Sequence, residues 1–588
     1  MKTFAAALCL LTTLVLAAPT WGQSAPAGNE HPQTRMLSRE GKVNPFGEPK
    51  RAHAEVADKW AFSKQVDLAP LRDLTVSHNS RLKILDTLAR ETIGGIVGRK
   101  DYFDIRTELD GSGALAGEMR LRYDPLFSYL DMVIDPSYYD DKLVIAVAYL
   151  PLREEYIRVI TQDEKEAERL KRMGRLTPRQ VGMLSAEVGS VSMQDVYQKA
   201  MGKVHESLML FALGAQNFDM VPAATADQPW LHLGTLAPDS PAAKAVRALG
   251  ESWRNLDAAG VNSAAKALAE ALPAINPQIY PTTRRSLELT YNRSNAFEWG
   301  FWLYALSLVF LMLSFGTGRR WLLWAGLATL LVAASLHAFG FTVRCLIAER
   351  FAIQNQFESM TGVSLFAAVV GLVLAAIKRQ ALFAAAVAAV GFLVLVTATQ
   401  TGIPGYAIER EAAILNTSVL LKYHVTTVLI SYGLISLGFI VSLFYLGTHY
   451  FAKPAAAGPV FPQASISAVS AAALGLDGTQ PKGRARILAD LDSAQMTILQ
   501  MAFWTLGVGI LLGAWWADHS WGRWWAFDPK ELWALLTWVV YLIVVHLRHG
   551  SLKNKALATA WLSVLGFFVM LWCYFGVNLL LPGLHAYA

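Results

Sequence analysis

The sequence predicts a mostly α-helical, polytopic membrane bundle of about eight spans, preceded by a mostly helical extracytoplasmic domain. Over half of the 588 residues, 54%, are hydrophobic, and the mean hydropathy is +0.32. That value is too apolar for an ordinary soluble protein. The apolar runs of spanning length lie beyond Glu298, whereas the first half carries the mixed pattern of a soluble domain. Two structural regimes are therefore joined in one chain.

The N-terminal residues 1–23 resemble an export signal. Lys2 is followed by an apolar run from Phe4 to Ala18 and then by small residues with Pro19. This order is typical of a signal peptide, so the chain beyond residue 23 is expected to be exported from the cytoplasm. Residues 24–59 are polar and contain prolines and glycines, which predicts a linker.

Residues 60–295 are expected to form the extracytoplasmic domain. Helix-length segments such as Asp163–Arg172 and Ser192–Leu213 alternate with Pro, Gly and Asp turns. Segment Arg81–Glu91 favours an amphipathic structural helix, with a docking segment as the alternative. The sequence of this domain shows no metal-ligand spacing, nucleophile elbow or phosphate-binding glycine loop.

Residues 296–588 contain the runs that are long enough to span a bilayer. The predicted spans are 298–316, 321–342, 360–377, 381–399, 421–447, 496–516, 532–547 and 555–578. Basic residues occur in alternate connections, at Arg319/Arg320, Lys378/Arg379, Lys482/Arg484/Arg486 and Arg548/Lys553/Lys555.

The positive-inside rule makes those basic connections cytoplasmic. The first span then runs inward from an exported domain, in agreement with the signal peptide. We therefore expect a multi-pass protein of the cytoplasmic (inner) membrane, with the 60–295 domain on the periplasmic side. The pI near 9.0 is explained by the basic connections and requires no nucleic-acid partner.

The three cysteines form no C-x-x-C pair. Cys9 precedes most of the apolar run, which argues against a lipoprotein cysteine, and Cys345 and Cys573 are far apart. Any thiol-reducing step that involves this protein would therefore depend on a separate, external thiol-reducing protein.

Segment Trp515–Glu531 is the most informative stretch of the chain. Five tryptophans and Phe527 occur within thirteen residues, between two predicted spans and on the predicted external side. Such density exceeds an ordinary interfacial aromatic belt and favours a flat surface for an aromatic ligand. A heavily anchored membrane loop is the alternative, which composition alone leaves equally open.

The end of this segment, Asp528-Pro529-Lys530-Glu531, has the pattern of a helix start. Asp at the N-cap, Pro at N1 and an acidic residue at N3 favour a cap for the next span. Asp528 and Glu531 are thus better explained as capping groups than as catalytic acids.

Histidine placement points to haem. His424 lies about one turn inside the outer end of its span, and His585 lies just past the outer end of the last one, both at the depth of the tryptophan segment. Two neutral imidazoles around an aromatic surface suit six-coordinate haem iron. A packing role is the alternative for either residue alone.

The other two intramembrane histidines lie at different depths. His546 lies about 22 Å into its span, on the cytoplasmic side, where an ionisable group is usually functional. His337 lies in the outer half, so it cannot readily ligate opposite His546. A haem on His546 would need a ligand from another subunit.

Segment Trp516–Trp533 resembles the WWD signature of the cytochrome c assembly family, most closely the haem-handling CcsA/ResC type of system II. The resemblance includes the residues that follow, Thr537-Trp538, Tyr541 and His546-Leu547-Arg548. Two regions further upstream are also similar to segments of that family and occur in the same order. The first is His337–Arg344 with Glu358-Ser359, and the second is Leu421–Val425 with Ser431-Tyr432-Gly433. The resemblance covers roughly 291–588 well.

The resemblance implies haem b as substrate, with His424 and His585 as external axial iron ligands and His546 as an intramembrane ligand. Phe527 stands where the family usually has Trp, and Asp518 where Asn is common, so tuning of the site is expected. The further haem-contacting candidates are Trp516, Trp521, Trp525, Phe527, Asp528, Trp533 and His337.

The implied function is haem presentation within a holocytochrome c synthase, which attaches haem vinyl groups to the thiols of C-x-x-C-H apocytochromes c. The implied partners are a ResB/CcsB-type membrane protein and the apocytochrome. A bis-histidine b-type cytochrome that exchanges electrons with quinone would explain the histidines but not the tryptophans. A receptor that senses a ligand through its exported domain would bind no haem.

Overall fold

A computed structural model describes residues 44–49, 54–109, 115–192, 194–378, 380–409, 419–452 and 484–581. These residues fall into two compact units, one ending at Ser294 and the other starting at Asn295. We call them the soluble unit and the membrane unit. The predicted signal peptide and most of the predicted linker lie outside the described residues.

The soluble unit is mainly helical, with three two-stranded antiparallel sheets among its described residues. Its elements are α1 (Val56–Gln65), α2 (Ala69–Arg72), β1 (Thr75–His78), β2 (Arg81–Ile84), α3 (Leu85–Val97), β3 (Phe103–Leu109), β4 (Leu115–Arg122), α4 (Pro125–Ile134), β5 (Ile145–Ala146), α5 (Leu150–Ile160), α6 (Glu164–Met173), β6 (Arg175–Leu176), α7 (Pro178–Gly189), α8 (Asp195–Ala212), α9 (Pro241–Arg254), α10 (Ala258–Ile275) and α11 (Thr283–Ser294).

Helix α4 is the centre of this unit, since all ten of its residues are buried. Asp124 caps it by accepting hydrogen bonds from the backbone of Leu126 and Phe127. From within α4, Asp131 pairs with the buried Lys59 of α1 at 3.0 Å and accepts a 2.8 Å bond from the Trp253 indole of α9. The buried lysine is thus paired, as burial of a charge requires.

The start of this unit differs from the sequence prediction in two places. The segment predicted as a helix from Arg81 begins as strand β2, which pairs with β1, and the helix starts only at Leu85. Folded structure also extends into the predicted linker, because α1 begins at Val56 and Phe46 packs against Phe218 at 5.1 Å. Tertiary pairing outweighs local pattern at both places.

The membrane unit contains eight helices that are long and apolar enough to cross a membrane, in the part of the chain that the structure describes. The prediction of about eight spans in a mostly α bundle is confirmed. The helices are α12 (Ala296–Thr317), α13 (Arg320–Ala348), α14 (Gln356–Lys378), α15 (Ala381–Gln400), α16 (Val419–Phe451), α17 (Arg484–Trp521), α18 (Pro529–Leu547) and α19 (Lys555–Leu571).

The last helix changes geometry near its end. After α19 a π-helical turn, Trp572–Gly576, leads into α20 (Val577–Leu580). A π turn inserts an extra residue into the helix and is frequent at functional sites.

Contacts between the connections define one end of the bundle. Segments 349–355, 401–409 and 522–528 lie at the end that also carries the π turn. We call it the tryptophan end. The opposite end, which carries Arg319, Lys378, Arg484, Arg548 and Lys555, is called the basic end.

Candidate functional site

The tryptophan-rich segment is largely helical, which the sequence did not predict. Helix α17 continues five residues past the predicted limit, to Trp521. The backbone N–H of Gly522 then bonds to the Asp518 carbonyl at 2.9 Å, and Gly522 takes φ +71°. Glycine in this left-handed conformation is a common helix C-cap. Only residues 522–528 therefore form the connection to α18.

Trp516 and Trp521 form the ordered part of the aromatic surface. Trp516 is only 3% exposed, and its ring lies 4.9 Å from that of Trp521 at an angle of 69°. The buried Trp516 Nε1 has no hydrogen-bond partner in the structure. An unpaired buried donor costs about 1–3 kcal/mol, so this indole N–H is suited to an acceptor brought by a ligand.

The connection after Gly522 presents further aromatic rings. Trp525 is half-buried, whereas Phe527 is 73% exposed and has a φ of +55°. A bulky residue in the left-handed region is strained by roughly 1 kcal/mol relative to glycine. The Phe527 ring is therefore held in an exposed, strained position where the fold itself would favour glycine.

The predicted helix start at Asp528 is confirmed. Its side chain accepts from the Lys530 backbone at 3.3 Å, and the Glu531 carboxylate accepts from the backbone of Asp528 at 3.2 Å and of Ala526 at 2.8 Å. The two carboxylates thus form a capping box. Asp528 is buried and fixes the direction in which the aromatic connection enters α18.

His424 is held against α17 by two glycines. Its Nδ1 lies 2.8 Å from the carbonyl oxygen of Gly509, so Nδ1 carries the proton and donates it. A Cβ at Gly513 would lie 2.5 Å from the His424 Cε1. The absence of a side chain at Gly513 therefore makes room for the imidazole.

The residues of α17 that contact His424 lie on the same face of α17 as the aromatic ring of Trp516. Gly509, Gly513 and Trp516 follow one another at spacings of four and three, which is one stripe of an α-helix. The neutral His424 ring has its lone pair on Nε2 when Nδ1 donates, as in most metal-ligating histidines. This side-chain set suits a flat aromatic ligand that contains a metal ion.

The structure separates the other histidines from this stripe. The buried His337 donates from Nε2 to the Thr361 carbonyl at 3.0 Å and accepts at Nδ1 from the Tyr304 hydroxyl at 3.3 Å. Both ring nitrogens are thus engaged by the protein. His546 is exposed on α18, where Nδ1 donates to the Leu542 carbonyl at 2.9 Å. His585 lies outside the described residues.

Trp533 connects α18 with the π turn. It is half-buried, and its ring lies 5.9 Å from that of Trp572. Next to Trp572, the buried Cys573 thiol lies 3.8 Å from the Lys530 carbonyl and receives a 3.4 Å bond from the Tyr432 hydroxyl of α16.

The π turn also reaches α14. The Tyr574 hydroxyl bonds with the Ser359 hydroxyl and donates to the Gln356 carbonyl at 3.3 Å. One turn of helix thus joins α14, α16 and the start of α18, so it sets the position of the helix that carries His424 relative to the aromatic connection.

A buried ion cluster braces the tryptophan end. Glu358 accepts from Arg344 at 3.1 Å and from Arg350 at 2.7 Å, and all three side chains are buried. Arg344 also donates to the carbonyls of Gly405 and Tyr406, both at 2.8 Å. The cluster therefore fixes the connection between α15 and α16 to the ends of α13 and α14.

The π turn, the ion cluster and the two glycines were not predicted from the sequence. Charged groups at Arg344 and Glu358 within apolar helices were available as a signal. The spacing Gly509-x-x-x-Gly513 was another, because small residues four apart permit close approach of membrane helices. A π turn has no comparable sequence signature.

Comparison with known proteins matches residues 353–585 to the family described as "Cytochrome C assembly protein". This region includes α14 to α19 and thus the aromatic surface, His424 and the π turn. It excludes the soluble unit.

Individual relatives agree with the family match. "Cytochrome c biogenesis protein CcsA" of Trieres chinensis is 28% identical over 316 residues, which cover 51% of this chain and 98% of that protein. The proteins of the same name from Synechococcus sp. (strain RCC307) and Lactuca sativa are 35% and 43% identical, over 28% and 18% of this chain. The chain spans only 53% and 32% of those two proteins. The C-terminal part of the chain, residues 353–585, is thus similar to the cytochrome c assembly protein family.

Proposed function

We propose that this protein handles haem b as a substrate and presents it for covalent attachment to C-x-x-C-H apocytochromes c outside the cytoplasmic membrane. The observation that carries this proposal is the His424 imidazole, oriented by the Gly509 carbonyl on the same α17 stripe as Trp516. The names of the relatives, which refer to cytochrome c biogenesis, support the same process.

His424 and His585 are the proposed axial ligands of the iron at the tryptophan end. His424 is suited to this role because a hydrogen bond from Nδ1 to a backbone carbonyl fixes the tautomer and the ring orientation. We assign no ligand role to His337, because both of its ring nitrogens are hydrogen-bonded within the bundle.

The proposed binding surface for the porphyrin consists of aromatic rings from α17, the connection and α18. The unpaired Trp516 Nε1 and the strained, exposed Phe527 both support binding of a ligand there. Asp528 serves this surface by capping α18 rather than by direct contact. The proposed aromatic members are Trp516, Trp521, Trp525, Phe527 and Trp533.

His546 is proposed to bind haem at a second, intramembrane position. It lies on the outer face of α18, together with the exposed Ile543 and Leu536, whereas Tyr541 and Val544 face the bundle. A ligand for the other side of the iron would therefore come from a neighbouring chain, for which a ResB/CcsB-type membrane protein is the proposed source.

The proposed reaction adds each apocytochrome S–H across a haem vinyl C=C bond. The sulfur bonds to one vinyl carbon, the proton ends on the other, and no net oxidant or reductant is required. The share of this chain is to hold the vinyl edge in position for the thiols, which is worth several kcal/mol of the barrier. The positive-inside rule supports placing this end outside.

Absorption and pyridine-haemochrome spectra of the purified full-length protein test the proposal. His424→Gly is expected to lose haem and to lose maturation of a C-x-x-C-H reporter co-expressed with the partner, and added imidazole is expected to restore part of both. His519→Gly is the matched control, since His519 is exposed and bonds to Trp515 of its own helix. An unchanged haem spectrum and full reporter maturation in His424→Gly would remove the ligand assignment. Haem that is reduced reversibly by quinol, without reporter attachment, would support the electron-transfer alternative.

A further inference from the structure

Three arginines of the soluble unit come together from separate segments of the chain. Arg175 lies on β6 and pairs with Ala146 of β5. Arg99 follows Gly98, which has φ +68° and packs so closely that a Cβ there would lie 2.9 Å from the Ala146 Cβ. Arg120 lies on β4. We call Arg99, Arg120 and Arg175 the arginine cluster.

An aromatic ring lies between two members of the cluster. The guanidinium carbons of Arg175 and Arg120 lie 4.8 Å and 5.1 Å from the centre of the Phe103 ring. Phe103 and Arg120 share one face of the β3–β4 hairpin, because Phe103 pairs with Arg122 and Ile105 with Arg120. Stacking on an aromatic ring occupies the flat faces of a guanidinium and leaves its N–H edges available.

Arg175 is the buried member. Its side chain is only 2% exposed, yet neither Nη1 nor Nη2 has a hydrogen-bond partner. Arg99 and Arg120 are exposed, so the cluster extends from the interior to the surface. No described carboxylate forms an ion pair with any of the three.

This arrangement is costly for the protein alone. Burial and the positive charges of Arg99 and Arg120 together lower the pKa of Arg175 to about 10, although the Tyr102 hydroxyl opposes this shift. A buried charge is normally paired, and an unpaired one destabilises the folded state.

We propose that the arginine cluster is a binding site for an oxyanion, a carboxylate or a phosphate group, which bonds to the Nη1 and Nη2 edge of Arg175. That edge presents two parallel N–H groups, the geometry that both anions accept in bidentate form. Arg99 and Arg120 supply further positive charge at the surface. This site is independent of the proposed haem surface and does not rest on the proposed function.

Hydrogen exchange of the full-length protein in detergent, followed by mass spectrometry, tests the site. Inorganic phosphate and sodium acetate are the probes, each compared with sodium chloride at equal ionic strength. Peptides from β3–β4 and β5–β6 are expected to exchange more slowly with a probe, by about tenfold at ten times the dissociation constant. The phosphate and acetate arms distinguish the two oxyanions, and protection by neither overturns the proposal.

Arg175→Met separates an anion site from a structural arginine. This variant is expected to lose the response to the probe and to keep or increase its protection in chloride, because the unpaired charge is gone. Full response in Arg175→Met overturns the proposal. If Arg175→Met does not fold, the exposed Arg120→Gln decides: an apparent affinity about tenfold weaker supports the site, and an unchanged one overturns it.

Arg158→Gln is the matched control. Arg158 is exposed and paired with Glu155 of its own helix at 2.7 Å. Its response to phosphate is expected to equal that of the wild type. An equal loss of response in Arg158→Gln and Arg120→Gln would assign the effect to general charge and overturn the proposal.

Discussion

The imidazole of His424 occupies the space that a side chain at Gly513 would fill: a Cβ at Gly513 would lie 2.5 Å from Cε1 of the ring. The position of the proposed iron ligand therefore depends on a glycine of the neighbouring helix. This dependence can be tested without changing the histidine itself.

Gly513→Ala is expected to displace the imidazole. Overpacking of this kind costs about 1–3 kcal/mol and is relieved here by movement of His424. We expect an altered haem absorption spectrum, with partial recovery on addition of imidazole, in protein that accumulates normally. Gly447→Ala on α16 is the control, because a Cβ there meets no atom within 4 Å. A wild-type spectrum in Gly513→Ala would contradict the proposed position of the ligand.

Trp521→Ala is expected to reduce haem per folded protein. The ring lies against Trp516 at the tryptophan end, and removal of a large stacking ring costs about 1–3 kcal/mol of binding. Trp504→Ala, on the same helix but exposed away from the aromatic surface, is expected to keep full haem. If Trp521→Ala loses only abundance and keeps its haem content, the segment acts as a membrane anchor.

Tyr574→Phe tests the π turn. Removal of the hydroxyl breaks the bonds to Ser359 and to the Gln356 carbonyl, with an expected loss of about 1 kcal/mol or more in the free energy of unfolding. A shift in the haem reduction potential is also expected, because Tyr574 no longer ties the π turn to α14. Tyr541→Phe is the control, since the buried Tyr541 hydroxyl has no hydrogen-bond partner, and this change is expected to be neutral or stabilising. Equal effects of the two variants would contradict a positioning role.

Glu358→Gln is expected to be among the most destabilising single changes in the membrane unit. It leaves Arg344 and Arg350 buried without their carboxylate, which costs about 3–5 kcal/mol. Asp490→Asn breaks an exposed pair with Arg486 on α17 and is expected to cost below about 0.5 kcal/mol. Thermal inactivation in detergent measures the stability of both variants. Similar midpoints for Glu358→Gln and Asp490→Asn would show that the cluster is not essential for stability.

Asp528 substitutions separate helix capping from charge. Asp528→Asn retains an acceptor for the Lys530 backbone and is expected to stay within a few tenths of a kcal/mol of the wild type, whereas Asp528→Ala costs about 1 kcal/mol. Protein level and haem content are expected to follow the same order. Loss of haem in Asp528→Asn, at normal protein level, would instead show that the carboxylate acts on the ligand.

The membrane helices were predictable because span length and apolar character follow directly from bilayer thickness. The cap at Asp528 was predictable for a similar reason, since its residue types and spacing are local. The extension of α17 to Trp521 was not, because tryptophan is compatible with a helix and with a loop, and only Gly522 marks the end.

The parts of the site that depend on distant residues could not be predicted from one sequence. Nothing near His424 in the chain indicates that its ring would face Gly513, which lies 89 positions later. Likewise, Arg175 and Phe103 carry no local sign of their contact. Hydrophobic periodicity identifies elements and their buried faces, whereas these contacts depend on how the elements pack.

Helix α17 has 38 residues, which at 1.5 Å per residue gives about 57 Å, whereas the apolar core of a bilayer is about 30 Å thick. It runs unbroken from the basic end to Trp521, and near the basic end Asp492 pairs with Arg548, the residue that follows α18. Asp492 and Trp521 are about 44 Å apart along this rod, so a tilt of about 2° at the ion pair moves the indole by roughly 1.5 Å. One continuous helix therefore links the ion pair at the basic end to the aromatic surface at the tryptophan end.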